Sequence, residues 1–150
     1  MIEKIREYFI DNKIINCDED KINLNVDFLS EKPTEFAIMK IPTNPIVESY
    51  INGDSLRQFQ FQLISCNDYG IDVMQNVYNS SFYEKMYKKI ELLNKEKKLP
   101  DIEGIQKIEC LDDGAILSTT TNTARYSIEM RILYYEEVIW YRLNLKKVVK

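Results

Sequence analysis

Two stretches of this chain alternate so strictly that they leave little choice of backbone. In residues 56–66, Phe59, Phe61 and Leu63 fall on one side and Gln58, Gln60 and Gln62 on the other. In residues 123–135, Ala124, Tyr126, Ile128, Met130, Ile132 and Tyr134 oppose Arg125, Ser127, Glu129 and Arg131. Successive side chains point to opposite faces in a strand, so a sustained period of two specifies β-structure with one apolar and one polar face. Two such strands need a cover for their apolar sides, and the rest of the chain must supply it.

Ile2, Ile5, Tyr8 and Phe9 recur at helical spacing and predict an amphipathic helix over residues 1–12. Two further helices are expected, over residues 72–79 and 80–98. Ser80 or Ser81 would cap the second, with Glu84 completing a capping box. Phe82, Met86, Ile90 and Leu93 would form its buried stripe, and Leu99-Pro100 would end it. Shorter strands are expected over residues 21–29, 34–41, 46–51, 105–111 and 115–121. Pro42-Thr43-Asn44-Pro45 reads as a turn, with a polyproline ligand as the alternative. Asn52-Gly53-Asp54 reads as a hairpin turn, and Asp112-Asp113-Gly114 as a second one joining 105–111 to 115–121.

Residues 138–145 are apolar on both sides, Val138 and Trp140 against Ile139, Tyr141 and Leu143. Such a segment must bury both sides, either as an inner strand or as an arm lying on a neighbouring subunit. The expectation is one α+β domain over residues 1–150, with a mostly antiparallel sheet, helices packed on one face, and 138–150 as a C-terminal arm. No internal repeat is visible.

Composition narrows the chemistry. The 150 residues contain no histidine, which removes the commonest general base and the commonest transition-metal ligand. The three cysteines, Cys17, Cys66 and Cys110, stand far apart and suggest neither a disulfide framework nor a zinc site. The four glycines are isolated, so no phosphate-cradling loop is present. Asp18-Glu19-Asp20 lacks the spacing of a calcium loop and reads as a solvated charge run. No catalytic, cofactor-binding or metal-binding residues are expected, and the chain is not expected to be an enzyme. An acid–base pair of carboxylates would need a pocket in which two of them converge.

The net charge of −4 and the interleaving of opposite charges argue against specific nucleic-acid binding. The basic concentrations, Lys85 to Lys98 and Lys146, Lys147 and Lys150, read as a helix face and a solubilising tail. Residues 1–10 are charged and helically patterned, so no secretory signal is expected. No apolar run is long enough to cross a membrane.

The order of short motifs is more specific than any one of them. Asp27-Phe28-Leu29, Pro33-Thr34-Glu35-Phe36, Pro42-Thr43-Asn44-Pro45-Ile46, Tyr50-Ile51-Asn52-Gly53-Asp54-Ser55 and Arg57-Gln58-Phe59-Gln60-Phe61 come first. Then follow Asn76-Val77-Tyr78-Asn79-Ser80-Ser81-Phe82-Tyr83-Glu84, Leu99-Pro100, Ile105-Gln106-Lys107-Ile108-Glu109, Thr123-Ala124-Arg125-Tyr126 and Tyr134-Tyr135. This series, over about residues 1–136, resembles the tail terminator (minor capsid or minor tail) proteins of phages and prophages of low-GC Gram-positive bacteria. The resemblance implies an antiparallel sheet flanked by helices. It implies a homo-oligomeric ring, usually a hexamer, on the head-proximal end of a tail tube. Its partners would be the tube protein, a sheath protein where there is one, and the neck or head connector. Its place would be a virion tail or tail-like particle assembled in the bacterial cytoplasm. A head-completion or neck adaptor is the alternative role.

In such a ring the polar face of the long strands is a candidate subunit interface. Gln58, Gln60, Gln62, Arg125 and Arg131 would make polar contacts, and Tyr135, Trp140 and Tyr141 are aromatic types that favour interface cores. The competing expectations are a solvent face for the glutamines and arginines and a core for the aromatics.

Overall fold

A computed structural model describes residues 1–15, 23–26, 35–68, 73–120 and 122–138. In chain order the elements are α1 (Ile2–Asp11), β1 (Asn23–Val26), β2 (Glu35–Ile41), β3 (Ile46–Ser49), β4 (Ser55–Asp68), α2 (Val73–Lys95), β5 (Ile105–Cys110), β6 (Ala115–Thr119) and β7 (Thr123–Glu136). The two alternating runs are β4 and β7, of 14 residues each. They pair antiparallel without a break from Ser55↔Glu136 to Asp68↔Thr123. This ribbon, about 45 Å long at the usual rise per residue, is the spine of a seven-stranded sheet ordered β1-β2-β4-β7-β5, with β3 also beside β4 and β6 also beside β7.

The α+β class is observed, and the sheet is mixed rather than purely antiparallel. β1 runs parallel to β2 from Asn23↔Glu35 to Val26↔Ile38, while the other described pairings are antiparallel. Alternation within a strand says which face a residue takes. It says nothing about the direction of the neighbouring strand.

The two halves of the sheet share a plan that no sequence repeat announces. β2 and β3 both pair with β4, and residues 42–45 between them face only Gln58 and Phe59. β5 and β6 both pair with β7, and residues 111–114 between them face only Ile128 and Glu129. Asp112-Asp113-Gly114 is therefore not the hairpin that its composition predicts. It is an excursion in a strand that resumes beside the same partner. Asp112 holds it there, accepting from Gly114 N–H at 2.8 Å and Glu129 N–H at 3.3 Å. Asn52-Gly53-Asp54 does turn the chain from β3 into β4, with Gly53 at φ +92°.

Both helices cover one face of the sheet. Phe9 of α1 stands edge-on to Phe61, and Tyr83 of α2 stacks on Tyr126. Ile5, Tyr8, Phe9, Phe36, Ile38, Phe61, Leu63, Ile108, Ile128, Met130 and Ile132 are buried together there. α2 is one continuous helix, which corrects the expected division into two. Ser80 and Ser81 lie inside it, so neither stands at a helix start. Ser is only mildly unfavourable in a helix interior, and no Pro or Gly stands nearby to break the helix. Its buried stripe is Tyr83, Met86, Ile90 and Leu93, with Phe82 only partly covered.

Both helices end in the same way, without glycine. Lys13 and Lys97 adopt positive φ, 52° and 57°. After α1, Lys13 N–H donates to Ile10 and Ile14 N–H to Phe9; after α2, Lys97 N–H donates to Asn94 and Lys98 N–H to Leu93. This is the Schellman pattern, which satisfies carbonyls that the helix leaves orphaned. Tyr8 Oη then donates to Lys98 C=O at 2.8 Å and locks the two helix exits together. Burial pushes the Tyr8 phenol up to about 12.

Candidate assembly surface

The face of the sheet away from α1 and α2 carries the second set of alternating side chains. Gln58, Gln60 and Gln62 lie on β4 opposite Leu133, Arg131 and Glu129 of β7. None of the three glutamines is fully exposed. Arg131 ties them to the next strand. Its Nε donates to Glu109 Oε1 at 2.7 Å, its Nη2 donates to the same oxygen, and its Nη1 lies 3.4 Å from Gln58 Oε1. Gln60 Nε2 donates to Gln58 Oε1 at 3.2 Å, and Gln58 Nε2 reaches the Asn44 carbonyl at 2.9 Å. Lys107 Nζ sits 2.9 Å from Glu109 Oε2. Burial pulls the Glu109 carboxyl upward, but hydrogen bonds from Lys107 and Arg131, with their charges, outweigh it and hold the group below its usual range.

The structure therefore joins Gln58, Gln60 and Arg131 in one network, with Gln62 one step along the row. Arg131 is satisfied within its own chain, so it would meet a partner as part of an ion pair. Arg125 lies toward the other end of β7, opposite Cys66 and Ser118. It borders a separate cavity of about 500 Å³ with Ser118, Thr120, Asn122 and Thr123.

Tyr135 marks the far end of the face, and its hydroxyl is already committed. It donates to Asp54 Oδ2, which also accepts from Asn52 Nδ2 at 2.9 Å, while Asp54 Oδ1 accepts from Val138 N–H at 2.9 Å. Asp54 is held below the usual carboxylate range, first by the Tyr135 hydroxyl and then by Val138 N–H. The same bond to Asp54 raises the Tyr135 phenol. The Tyr50 ring lies 5.8 Å from that of Tyr135. The tip of the β3–β4 hairpin is thus clasped to the point where the chain leaves β7. Trp140, Tyr141, the rest of the apolar 138–145 segment, Cys17, Asp18-Glu19-Asp20, Lys146, Lys147 and Lys150 lie outside the described residues.

The edges of the sheet were not legible as sites in the sequence, and they differ from one another. The outer edge of β1 is capped by α1, for Arg6 Nε donates to the Leu24 carbonyl at 3.0 Å. The outer edge of β5 is capped by α2. Asn94 Oδ1 accepts from Ile108 N–H at 3.0 Å, and Asn94 Nδ2 donates to Ile108 C=O and, at 2.9 Å, to Ile90 C=O. Every residue of β3 and of β6 is exposed, and among the described residues no helix side chain caps either one. Ile46, Val47, Ile116 and Leu117 are 40%, 44%, 48% and 54% exposed. The runs Ile46-Val47 and Ile116-Leu117 were the available signal, but exposure depends on which strands end up outermost.

Elsewhere, a cavity of about 610 Å³ opens among Met1, Ile102, Gly104, Gln106, Tyr134 and Glu137. Burial, with Asp112, Glu91 and Glu109 nearby, pushes the Cys110 thiol up to about 12, which suppresses the reactive thiolate. Among the described residues no three His, Cys, Asp or Glu side chains are grouped to hold a metal ion. No described helix is long and apolar enough to cross a membrane. The chain matches no protein-family model and no curated protein.

Proposed function

We propose that this chain is a structural subunit of a phage-type tail, a terminator. It closes into a ring on the head-proximal end of the tail tube, stops the tube from growing, and offers a joint to the neck. One observation carries the assembly part of this reading. Among the described residues two different strands with exposed apolar side chains, β3 and β6, stand uncapped on opposite edges of one sheet, whereas the helices cap the other two edges. A subunit with two unlike patches on opposite sides joins head to tail, and such contacts close into rings when the rotation permits. The helix-free face, with its half-buried row of glutamines and an arginine already neutralised by Glu109, offers polar contact to tube or neck without an unpaired charge. The placement at a tail rests on the ordered motif series in the sequence.

Electron microscopy of particles assembled without this protein tests the proposal. Overlong or variable tubes are the expected result. Tails of normal length that fail to join heads would instead assign it to the neck. Particles identical to normal ones would overturn both roles.

A further inference from the structure

We propose that the contact between neighbouring copies is β6 of one copy against β3 of the next, with Ile116 and Leu117 packed on Ile46 and Val47. The inference rests on the ring reading above and adds to it the surface and the occupant, a second copy of this chain.

Three features on these edges point the same way. First, proteins usually protect an edge strand with charge, proline or a covering element. β1 and β5 are covered in this manner by Arg6 and Asn94, while β6, Ala115-Ile116-Leu117-Ser118-Thr119, contains neither charge nor proline, and β3 carries only Glu48. Second, each strand has a register shift that leaves one residue without a partner inside the sheet, Val47 between Ile46 and Glu48, and Leu117 between Ile116 and Ser118. A bulge commonly blunts an edge, but here the unpartnered residue is apolar and exposed in both strands. Third, the directions agree. β3 is antiparallel to β4, β6 to β7, and β4 to β7. β3 and β6 therefore run opposite ways, and a neighbour displaced without being turned over lays one antiparallel to the other. The two strands lie at diagonally opposite corners of the spine, so this contact staggers adjacent copies and tilts their strands. Closing a sheet into a ring requires such tilt.

The test is a charge exchange, read by sedimentation velocity on the purified full chain, with circular dichroism to verify folding. The wild-type chain should associate with rising concentration. Leu117→Lys and Val47→Glu should each weaken association at least about tenfold, because each buries an unpaired charge. The double variant should regain association, since every contact then opposes lysine to glutamate. An equimolar mixture of the two single variants should regain it as well, which covers a double variant that folds poorly. Wild-type protein that stays monomeric at every soluble concentration would overturn the contact. So would single variants that associate like wild type, or a folded double variant and a mixture that both stay apart. A ring that persists in the single variants while tubes still overgrow without the protein would sink this contact alone and leave the terminator reading standing.

Discussion

Replacing Gly104 with alanine isolates one backbone requirement at the end of the sheet. Gly104 has φ +74°, and a Cβ placed on it would lie 2.0 Å from the Tyr135 carbonyl oxygen. That oxygen is main chain of β7, so no side-chain rotation relieves the clash. The Gly104 carbonyl also accepts from Tyr135 N–H at 2.8 Å, and the two peptides must separate to admit a methyl group. Left-handed backbone costs a residue with a Cβ about 1–2 kcal/mol, and a hydrogen bond lost on separation costs about 0.5–1.5 kcal/mol. The lower entropy of the unfolded alanine chain returns about 0.4–1 kcal/mol. A loss of roughly 2 kcal/mol is expected, which moves a urea midpoint by about 1 M at an ordinary slope. Gly53→Ala is the control. Its φ is +92°, yet the nearest atom to the new Cβ is Val138 Cγ2 at 3.2 Å, a side chain that can yield. Only the conformational cost remains, about 1 kcal/mol or less. Urea unfolding followed by circular dichroism measures both. If Gly104→Ala loses no more stability than Gly53→Ala, the steric argument is wrong.

Further outcomes follow from the edges, caps and clasp. Asn94→Ala strips the partners from Ile108 N–H and C=O, costing about 1–3 kcal/mol, and uncovers the β5 edge; urea unfolding and light scattering should show lower stability and more aggregation. Lys97→Gly relieves left-handed backbone after α2 and should raise stability by roughly 0.5–1 kcal/mol, seen as a higher urea midpoint. Asp54 has a folded pKa below its unfolded value, so its contribution is complete above the ordinary Asp pKa of about 4 and is lost as pH falls through the folded value. Asp54→Asn should therefore weaken the protein at neutral pH and flatten its stability profile over the acid range. An unchanged acid limb would show that the clasp contributes nothing.

The long strands were legible because their signal is local and repeated, and β4 and β7 carry it on both faces. The row Gln58, Gln60 and Gln62, and the placing of Arg131 on the polar side of its own strand, followed from the same alternation. That Arg131 stands across from Gln60 did not, because alternation does not choose the partner strand or its register. Information held between distant segments was not legible. Asp112-Asp113-Gly114 has the composition of a hairpin, but what the chain does there depends on β7, which keeps both flanking strands beside it. Tyr135 suggested a surface anchor, yet its hydroxyl is engaged by Asp54, 81 residues away in sequence. The helix ends were hidden for another reason. Lysine at positive φ has no compositional mark, and the tertiary bond from Tyr8 to Lys98 helps to fix it. Ser80 and Ser81 show the limit of a capping signature, because such residues mark a helix start only where the chain before them is not itself helical.

The excursions at residues 42–45 and 111–114 make the protein unevenly tolerant of length. One residue inserted into β4 or β7 would turn every later side chain to the opposite face and undo the register of the spine. The same insertion in either excursion would shift nothing in β4 or β7, because four residues already span a gap of two there. Lineages of such a chain can lengthen at those two points while the ruler between them keeps its graduations, and an epitope or fluorophore belongs at the same places.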